Sequence, residues 1–202
     1  MAQQLQARDN PVHWLEEHPL NETIFAPFLA ALAPNAEPAL TTLLACWRDL
    51  LHRLNTDAAT YCLDGAFFHS ALKLLLAYDY ELTAIAHYLH TLYDLLAPFR
   101  PPLLHLTGDV AAIVRMTIAE RGVSWATNVA AAIAQYPCQQ RQGKAGIEGM
   151  IEFFTESQAQ LERVAATYPF AYYRLDTTAR AWPQYQQAVC AWLDIPLSAT
   201  AA

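Results

Sequence analysis

Short apolar runs alternate along this chain with longer segments whose apolar residues recur at helical spacing. Apolar runs of this kind, bounded by glycine, proline or aspartate, are typical of buried strands. The order of the runs and of the segments between them limits the fold classes that the chain can adopt. The four predicted strands are Val12 to Glu16, Ala59 to Asp64, Leu103 to Thr107 and Phe170 to Asp176.

The segments between the strands carry the apolar stripes of amphipathic helices. Alternating strands and helices predict a parallel sheet covered on both faces. We therefore expect an α/β fold, a three-layer sandwich with a parallel sheet flanked by helices. Residues 1–196 would form a single domain, residues 138–146 a polar loop, and residues 197–202 a frayed tail. The predicted helices are Pro38 to Leu54, Phe67 to Ala77, Glu81 to Ala97, Gly108 to Glu120, Trp125 to Tyr136, Ile147 to Thr167 and Ala181 to Leu193.

Composition excludes several classes of protein. Hydrophobic residues make up 54% of the 202 residues and charged residues 15%, so the chain is expected to pack rather than stay disordered. A net charge of −7 argues against a general nucleic-acid binder. No apolar run is long enough to span a bilayer and the start has no signal-peptide pattern, so we expect a cytoplasmic protein without a membrane partner. The four cysteines are scattered without a C-x-x-C pair, which favours buried free thiols over a zinc site.

Three stretches resemble one family. They are YCLDGAFFHS after the second strand, PPLLHLTGDVAAIVRMTIAERG around the third, and GKAGIEGMIEFF from Gly143 to Phe154. Together they resemble thymidylate kinases and deoxynucleoside kinases of the P-loop NTPase fold, and most closely a little-characterised bacterial branch of P-loop kinase-like proteins. The resemblance covers about residues 1–195. It implies ATP and Mg²⁺ as cofactors and phosphoryl transfer to a small acceptor such as a nucleoside or nucleotide.

The phosphate-binding loop of that family, G-x-x-x-x-G-K-[ST], does not occur in this sequence. The only Gly-Lys pair is Gly143-Lys144, with Cys138 in place of the first glycine and Ala145 in place of the serine or threonine. The first 19 residues look like the end of the family's first helix and its second strand. On that interpretation about 15 upstream residues, a strand and the loop, are missing.

The missing loop leaves three functions open. With the loop supplied, the protein would be a kinase-like phosphotransferase, and the chain as written is expected to have negligible kinase activity. A non-catalytic P-loop relative that binds a ligand or a partner is the alternative, and a helical interaction module is the third. Without the first strand, the strands that begin at Ala59 and Leu103 must either pair directly or leave a gap. A gap predicts reduced stability or a homo-oligomer formed through the open edge.

Acidic residues follow two of the predicted strands. The resemblance gives Asp64 the role of the acid that holds Mg²⁺-bound water or the substrate. The alternative is that Asp64 caps the following helix. The resemblance makes Glu16 or Glu17 the general base on the acceptor hydroxyl, and which of the two remains open. The alternative is a pair of solvated loop acids.

Four basic residues are candidates for phosphate binding. Arg115 and Arg121 lie near the position of the family's lid arginines, and Arg121 is the better candidate because it ends its helix. Their alternative is surface ion pairing, for example with Glu120. Arg141 and Lys144 lie in the polar loop QQRQGKAG, which could close over phosphates or be an ordinary solvated turn, the reading we favour.

Aromatic residues near the strand ends are candidates for stacking on a base. These residues are Trp14, Phe67 and Phe68. Aromatic side chains at helix and strand positions more often belong to the core, which is the alternative for all three.

Overall fold

The computed structural model describes residues 11–34, 36–56 and 59–195. The strands are β1 (Val12–Leu15), β2 (Thr60–Leu63), β3 (Leu103–Thr107) and β4 (Tyr172–Asp176). The helices are α1 (Glu17–Glu22), α2 (Ala26–Ala31), α3 (Glu37–Leu54), α4 (Lys73–Ala77), α5 (Leu82–Leu96), α6 (Val110–Arg121), α7 (Val123–Ile133), α8 (Pro137–Gln142), α9 (Gly146–Ala165) and α10 (Trp182–Trp192). A π-helical segment, Ala66–Leu72, directly precedes α4. The predicted tail at residues 197–202 lies outside the described residues.

The four strands pair two by two. β1 and β2 are parallel, with Leu15 opposite Leu63 at their carboxyl ends. β3 and β4 are also parallel, with Thr107 opposite Asp176. Each predicted strand is therefore present, within two residues of its expected limits.

The predicted three-layer sandwich is wrong. The part of the chain that the structure describes is 64% helical, and its strands form two separate, short sheets of two parallel strands each. A single sheet of four strands needs two strands that pair at both of their edges, but in the described part of the chain each strand pairs at one edge only. β2 and β3 therefore leave a gap instead of pairing directly. Most of the structure around the two sheets is helical.

Helices α3 and α5 show why the chain is mainly helical. In α3, the buried residues Ala39, Leu43, Trp47 and Leu50 recur every three or four positions and form one face. Pro38 lies in the first turn, where its missing N–H group costs no hydrogen bond. In α5, a comparable face buries side chains at the same spacing, and both helices contribute to one core.

The core has two parts. The first surrounds Trp47 and is built mainly by α2, α3, the π-helical segment, α4 and α5. Leu63 of β2 and Leu103 of β3 both pack against this part, so the two sheets share one apolar support. The second surrounds Met150 and is built mainly by α6, α7, α8 and α9.

The predicted burial of the cysteines holds for three of the four. Cys46, Cys138 and Cys190 are buried, Cys62 is half-buried, and none of the four forms a disulfide. Burial raises the pKa of Cys46, of Cys62 and of Cys138, because a thiolate is poorly solvated in an apolar surrounding.

Candidate functional site

The carboxyl ends of β1 and β2 bring the predicted acidic residues together. Leu15 and Leu63 are paired, and the Asp64 amide donates to the Leu15 carbonyl at 2.9 Å. The chain after β1 therefore emerges beside the chain after β2, and Glu16, Glu17 and Asp64 lie at one edge. The carboxyl ends of parallel strands are the usual place for ligands in α/β sheets. We call this edge, with Lys73 described below, the strand-end site.

Glu16 and Glu17 differ in their surroundings. Glu16 is exposed and precedes α1 without a side-chain hydrogen bond to that helix. Glu17 is half-buried against Gly65, where an added methyl group would lie 2.8 Å from Glu17 Oε2. Gly65 has a φ of +71°, a left-handed conformation that favours glycine. The structure therefore singles out Glu17 as the acid that faces the interior of the site.

Lys73 completes the strand-end site, and sequence reasoning missed it. It is half-buried at the start of α4. Burial lowers the pKa of Lys73, and the negative charge of Glu17 opposes this shift. The sequence signal was a lysine inside the apolar run ALKLLLA, in a chain whose only other lysine is Lys144.

A rare backbone form connects Gly65 to Lys73. The segment Ala66–Leu72 is π-helical, and such turns occur frequently at functional sites. Phe67 lies within it and packs against the rings of Trp47, Tyr93 and Tyr168, at centroid distances of 6.0, 6.3 and 5.8 Å. The structure thus places Phe67 in the aromatic core, which was the alternative to base stacking.

The other two stacking candidates are elsewhere. Trp14 lies on β1 and is 40% exposed. The side chain of Phe68 lies outside the described residues. Among the described candidates, no aromatic ring is therefore in recorded contact with the acidic residues of the strand-end site.

The four predicted phosphate-binding residues do not converge on the strand-end site. Arg115 is exposed on α6, and the guanidinium of Arg121 lies 5.4 Å from the centre of the Trp125 ring. Arg141 forms two hydrogen bonds to Asp79, at 3.0 and 2.5 Å. Their role in phosphate binding stays a prediction.

The Gly143-Lys144 pair ends a helix. Gly143 has a φ of 65° at the end of α8, and the Lys144 amide donates to the Gln139 carbonyl at 3.1 Å. The Lys144 ammonium lies 3.1 Å from Glu152 and 2.7 Å from Glu156. The pair therefore has a structural role here, with its cation matched by two carboxylates. The predicted polar loop at residues 138–146 is wrong, because α8 occupies most of it.

At the carboxyl ends of β3 and β4, the polar groups form hydrogen bonds with one another and with the start of α6. Asp109 caps α6 by accepting from the Ala112 amide at 2.9 Å. The Thr178 hydroxyl accepts from the Asp109 amide at 2.9 Å, and the Thr178 amide donates to Asp176 at 2.8 Å. These bonds pair the polar groups of the second edge with one another.

No group of three or more histidine, cysteine, aspartate or glutamate residues in the described ranges is arranged to hold a metal ion. Asp64 is exposed, and Glu16 and Glu17 do not form such a group with it. ATP and Mg²⁺ stay predictions of the family resemblance.

The chain matches no protein-family model, no curated protein and no solved structure. The kinase-like resemblance therefore rests on the sequence stretches alone. In the part of the chain that the structure describes, no helix combines the length and the apolar character needed to cross a membrane.

Proposed function

We propose that this chain is a small-molecule-binding module whose ligand lies at the strand-end site. The observation that supports this best is the placement of Glu17, half-buried against Gly65 at the ends of two parallel strands, with Lys73 close enough for its pKa to respond to the Glu17 charge. Holding a carboxylate and a lysine half-buried at such an edge costs solvation free energy, and groups perturbed in this way cluster at functional sites.

The chemistry of the site suits a ligand with hydroxyl groups. A carboxylate accepts hydrogen bonds, and Glu17 could accept from one or two ligand hydroxyls while Lys73 balances its charge. The exposed Glu16 and Asp64 add negative charge at the rim, which disfavours a phosphorylated ligand. The proposed ligand class is therefore a neutral, hydroxyl-bearing molecule of the nucleoside type.

Phosphoryl transfer from ATP·Mg²⁺ is the second candidate, for a form in which a phosphate loop is supplied. The placement of Glu17 and Asp64 at one edge favours it, since the resemblance makes Glu16 or Glu17 the base and Asp64 the acid that holds Mg²⁺-bound water or the substrate. In this chain the only Gly-Lys pair caps a helix, so we propose binding without turnover. The cytoplasmic location and the homo-oligomer also stay predictions.

The test compares two neighbouring acids. We expect the chain to bind at least one of the four deoxyribonucleosides in a calorimetric titration, and we expect Glu17→Gln to weaken that binding about tenfold or more, because a charged acceptor makes stronger hydrogen bonds. Glu16→Gln is the matched control, since Glu16 is exposed and adjacent. The affinity of the Glu16→Gln variant for the nucleoside should stay within about twofold of that of the parent chain.

Thermal unfolding of both variants shows whether each one is folded. An equal loss of nucleoside affinity in the two variants, or the absence of nucleoside binding by the parent chain, would contradict the proposal.

A further inference from the structure

A second candidate site is a cavity between α6 and the turn that connects β4 to α10. Its volume is about 140 Å³, which suits a molecule smaller than a typical drug. The side chains around it include an acid, a base, a hydroxyl group and three apolar groups, from Glu120, Arg180, Thr117, Ile113, Met116 and Trp182.

Hydrogen bonds hold the turn after β4 against α6. The Asp109 amide at the start of α6 donates to the Thr178 hydroxyl at 2.9 Å, and the Thr177 amide donates to the Thr107 carbonyl at 2.8 Å. Arg180 has a φ of +52°, which is uncommon for a residue with a side chain. Such a conformation costs free energy, persists only where its surroundings hold it, and is frequent at ligand sites.

The polar side chains at the cavity supply both acceptors and donors. The Thr117 and Thr177 hydroxyls each donate to a backbone carbonyl at 2.9 Å, so their oxygen atoms can still accept a hydrogen bond. Glu120 adds a carboxylate, which only accepts, and Arg180 adds a guanidinium, which only donates. The chemical complement of this set is a ligand with an ammonium group and a carboxylate.

The charges at the cavity also favour a ligand that carries both signs. Arg180 Nη1 lies 3.0 Å from Glu120 Oε1, and the two side chains are 48% and 57% exposed. A simple cation beside Glu120 would be repelled by Arg180, and a simple anion beside Arg180 would be repelled by Glu120. Exposed ion pairs contribute little to stability, so a zwitterion can separate the pair and give each charge a new partner.

An apolar wall lies beside the ion pair. Trp182 is 53% exposed, and its ring is held edge-on against Tyr185 with the ring centres 5.6 Å apart. Met116 and Ile113 of α6 line the cavity and are half-buried. An apolar group of a ligand that covers these side chains would remove apolar surface from water.

We propose that this cavity binds a free α-amino acid with an apolar side chain. The ammonium group of the amino acid donates to Glu120 and to the threonine hydroxyls, and its carboxylate accepts from Arg180. Its side chain packs against Trp182 and Met116. The proposal does not depend on the strand-end site, because the two sites share no residue.

Three related compounds separate the two charged contacts. L-Leucine has both charges, N-acetyl-L-leucine has only the carboxylate, and L-leucine methyl ester has only the ammonium group. Titrations of the full chain are followed by ¹H–¹⁵N correlation spectra, with the Trp182 indole signal assigned from a Trp182→Phe variant. We expect L-leucine to bind about tenfold or more tightly than either derivative, with shifts at the Trp182 indole and at the amides of residues 177–182.

Two variants distinguish ligand contacts from a structural role of the ion pair. Glu120→Gln should weaken L-leucine and the methyl ester about tenfold but not N-acetyl-L-leucine, whereas Arg180→Gln should weaken L-leucine and N-acetyl-L-leucine but not the methyl ester. Both variants break the same ion pair, so a purely structural role would change the three affinities in the same way in each. Glu148→Gln, at an exposed acid on α9 outside the cavity, is the matched control and should change none of them.

Thermal unfolding shows whether the variants are folded, which we expect because Glu120 and Arg180 are both exposed. No binding of L-leucine, equal binding of the three compounds, or the same pattern of affinities in both variants would overturn the proposal.

Discussion

We expect the Gly65→Ala variant to be about 2–4 kcal/mol less stable than the parent chain. Part of this loss is the cost of a side chain at a φ of +71°. The rest comes from the contact between the new methyl group and Glu17, whose Oε2 and Cβ atoms would lie 2.8 and 3.2 Å away. Urea unfolding gives the difference in the free energy of unfolding.

Gly143→Ala is the matched control for this prediction. Gly143 has a similar φ of 65°, but a methyl group there would have nothing within 4 Å, so only the backbone cost of about 1–2 kcal/mol applies. In a Glu17→Ala background the extra cost at Gly65 should become smaller, because the 2.8 Å contact with Oε2 is gone while the 3.2 Å contact with Cβ remains. Equal losses at Gly65 and Gly143 in the parent chain would mean that Glu17 does not occupy the place described here.

The second large effect is a gain in stability. We expect Gln139→Leu to raise the free energy of unfolding by about 1–3 kcal/mol, because it removes a buried amide whose hydrogen-bond partner is at most the weakly bonding Cys138 thiol. Leucine has a comparable size and adds apolar surface to the second part of the core.

Gln140→Leu provides the control for this gain. Gln140 is the next residue of α8 and is exposed, so its replacement should change the free energy of unfolding by less than about 0.5 kcal/mol. A loss of stability in Gln139→Leu would show that the amide has a favourable partner in the folded protein.

Local patterns in the sequence were sufficient to predict the strands and most of the helices. Apolar spacing located α3, α5 and α9, and β1 to β4 appeared where short apolar runs predicted them. The pairing of the strands was not predictable. Alternation of strands and helices indicates that the strands run parallel, but it does not indicate how many of them form one sheet. Each strand has only four or five residues, so the helices determine most of the packing.

Prolines account for the helices that were missed. Pro19 follows the predicted first strand and lies inside α1. Pro27 and Pro137 stand in the first turn of α2 and α8, where proline is well tolerated. Because α8 was interpreted as a polar loop, the burial of Gln139 had no signal in the sequence.

The strand-end site was predicted in part. The positions of Glu16, Glu17 and Asp64 at one edge followed from parallel strands, and this juxtaposition holds although the single sheet does not. Lys73 could not be assigned, because the sequence does not indicate that a lysine after the π-helical segment lies close to an acid 56 positions earlier. That relation depends on the fold of the whole first part of the core.

The most direct test of the strand-end site uses the two lysines of the chain. With ¹³C-labelled lysine, the Cε signals of Lys73 and Lys144 can be followed separately by NMR. Burial lowers the pKa of Lys73, whereas the hydrogen bonds from Lys144 to Glu156 and Glu152 raise the pKa of Lys144, so Lys73 should titrate at the lower pH. On addition of the deoxyribonucleoside that binds, the Lys73 signal should shift to saturation while the Lys144 signal stays in place. A ligand-dependent shift at Lys144 alone, or equal shifts at both lysines, would contradict a ligand site at the ends of β1 and β2.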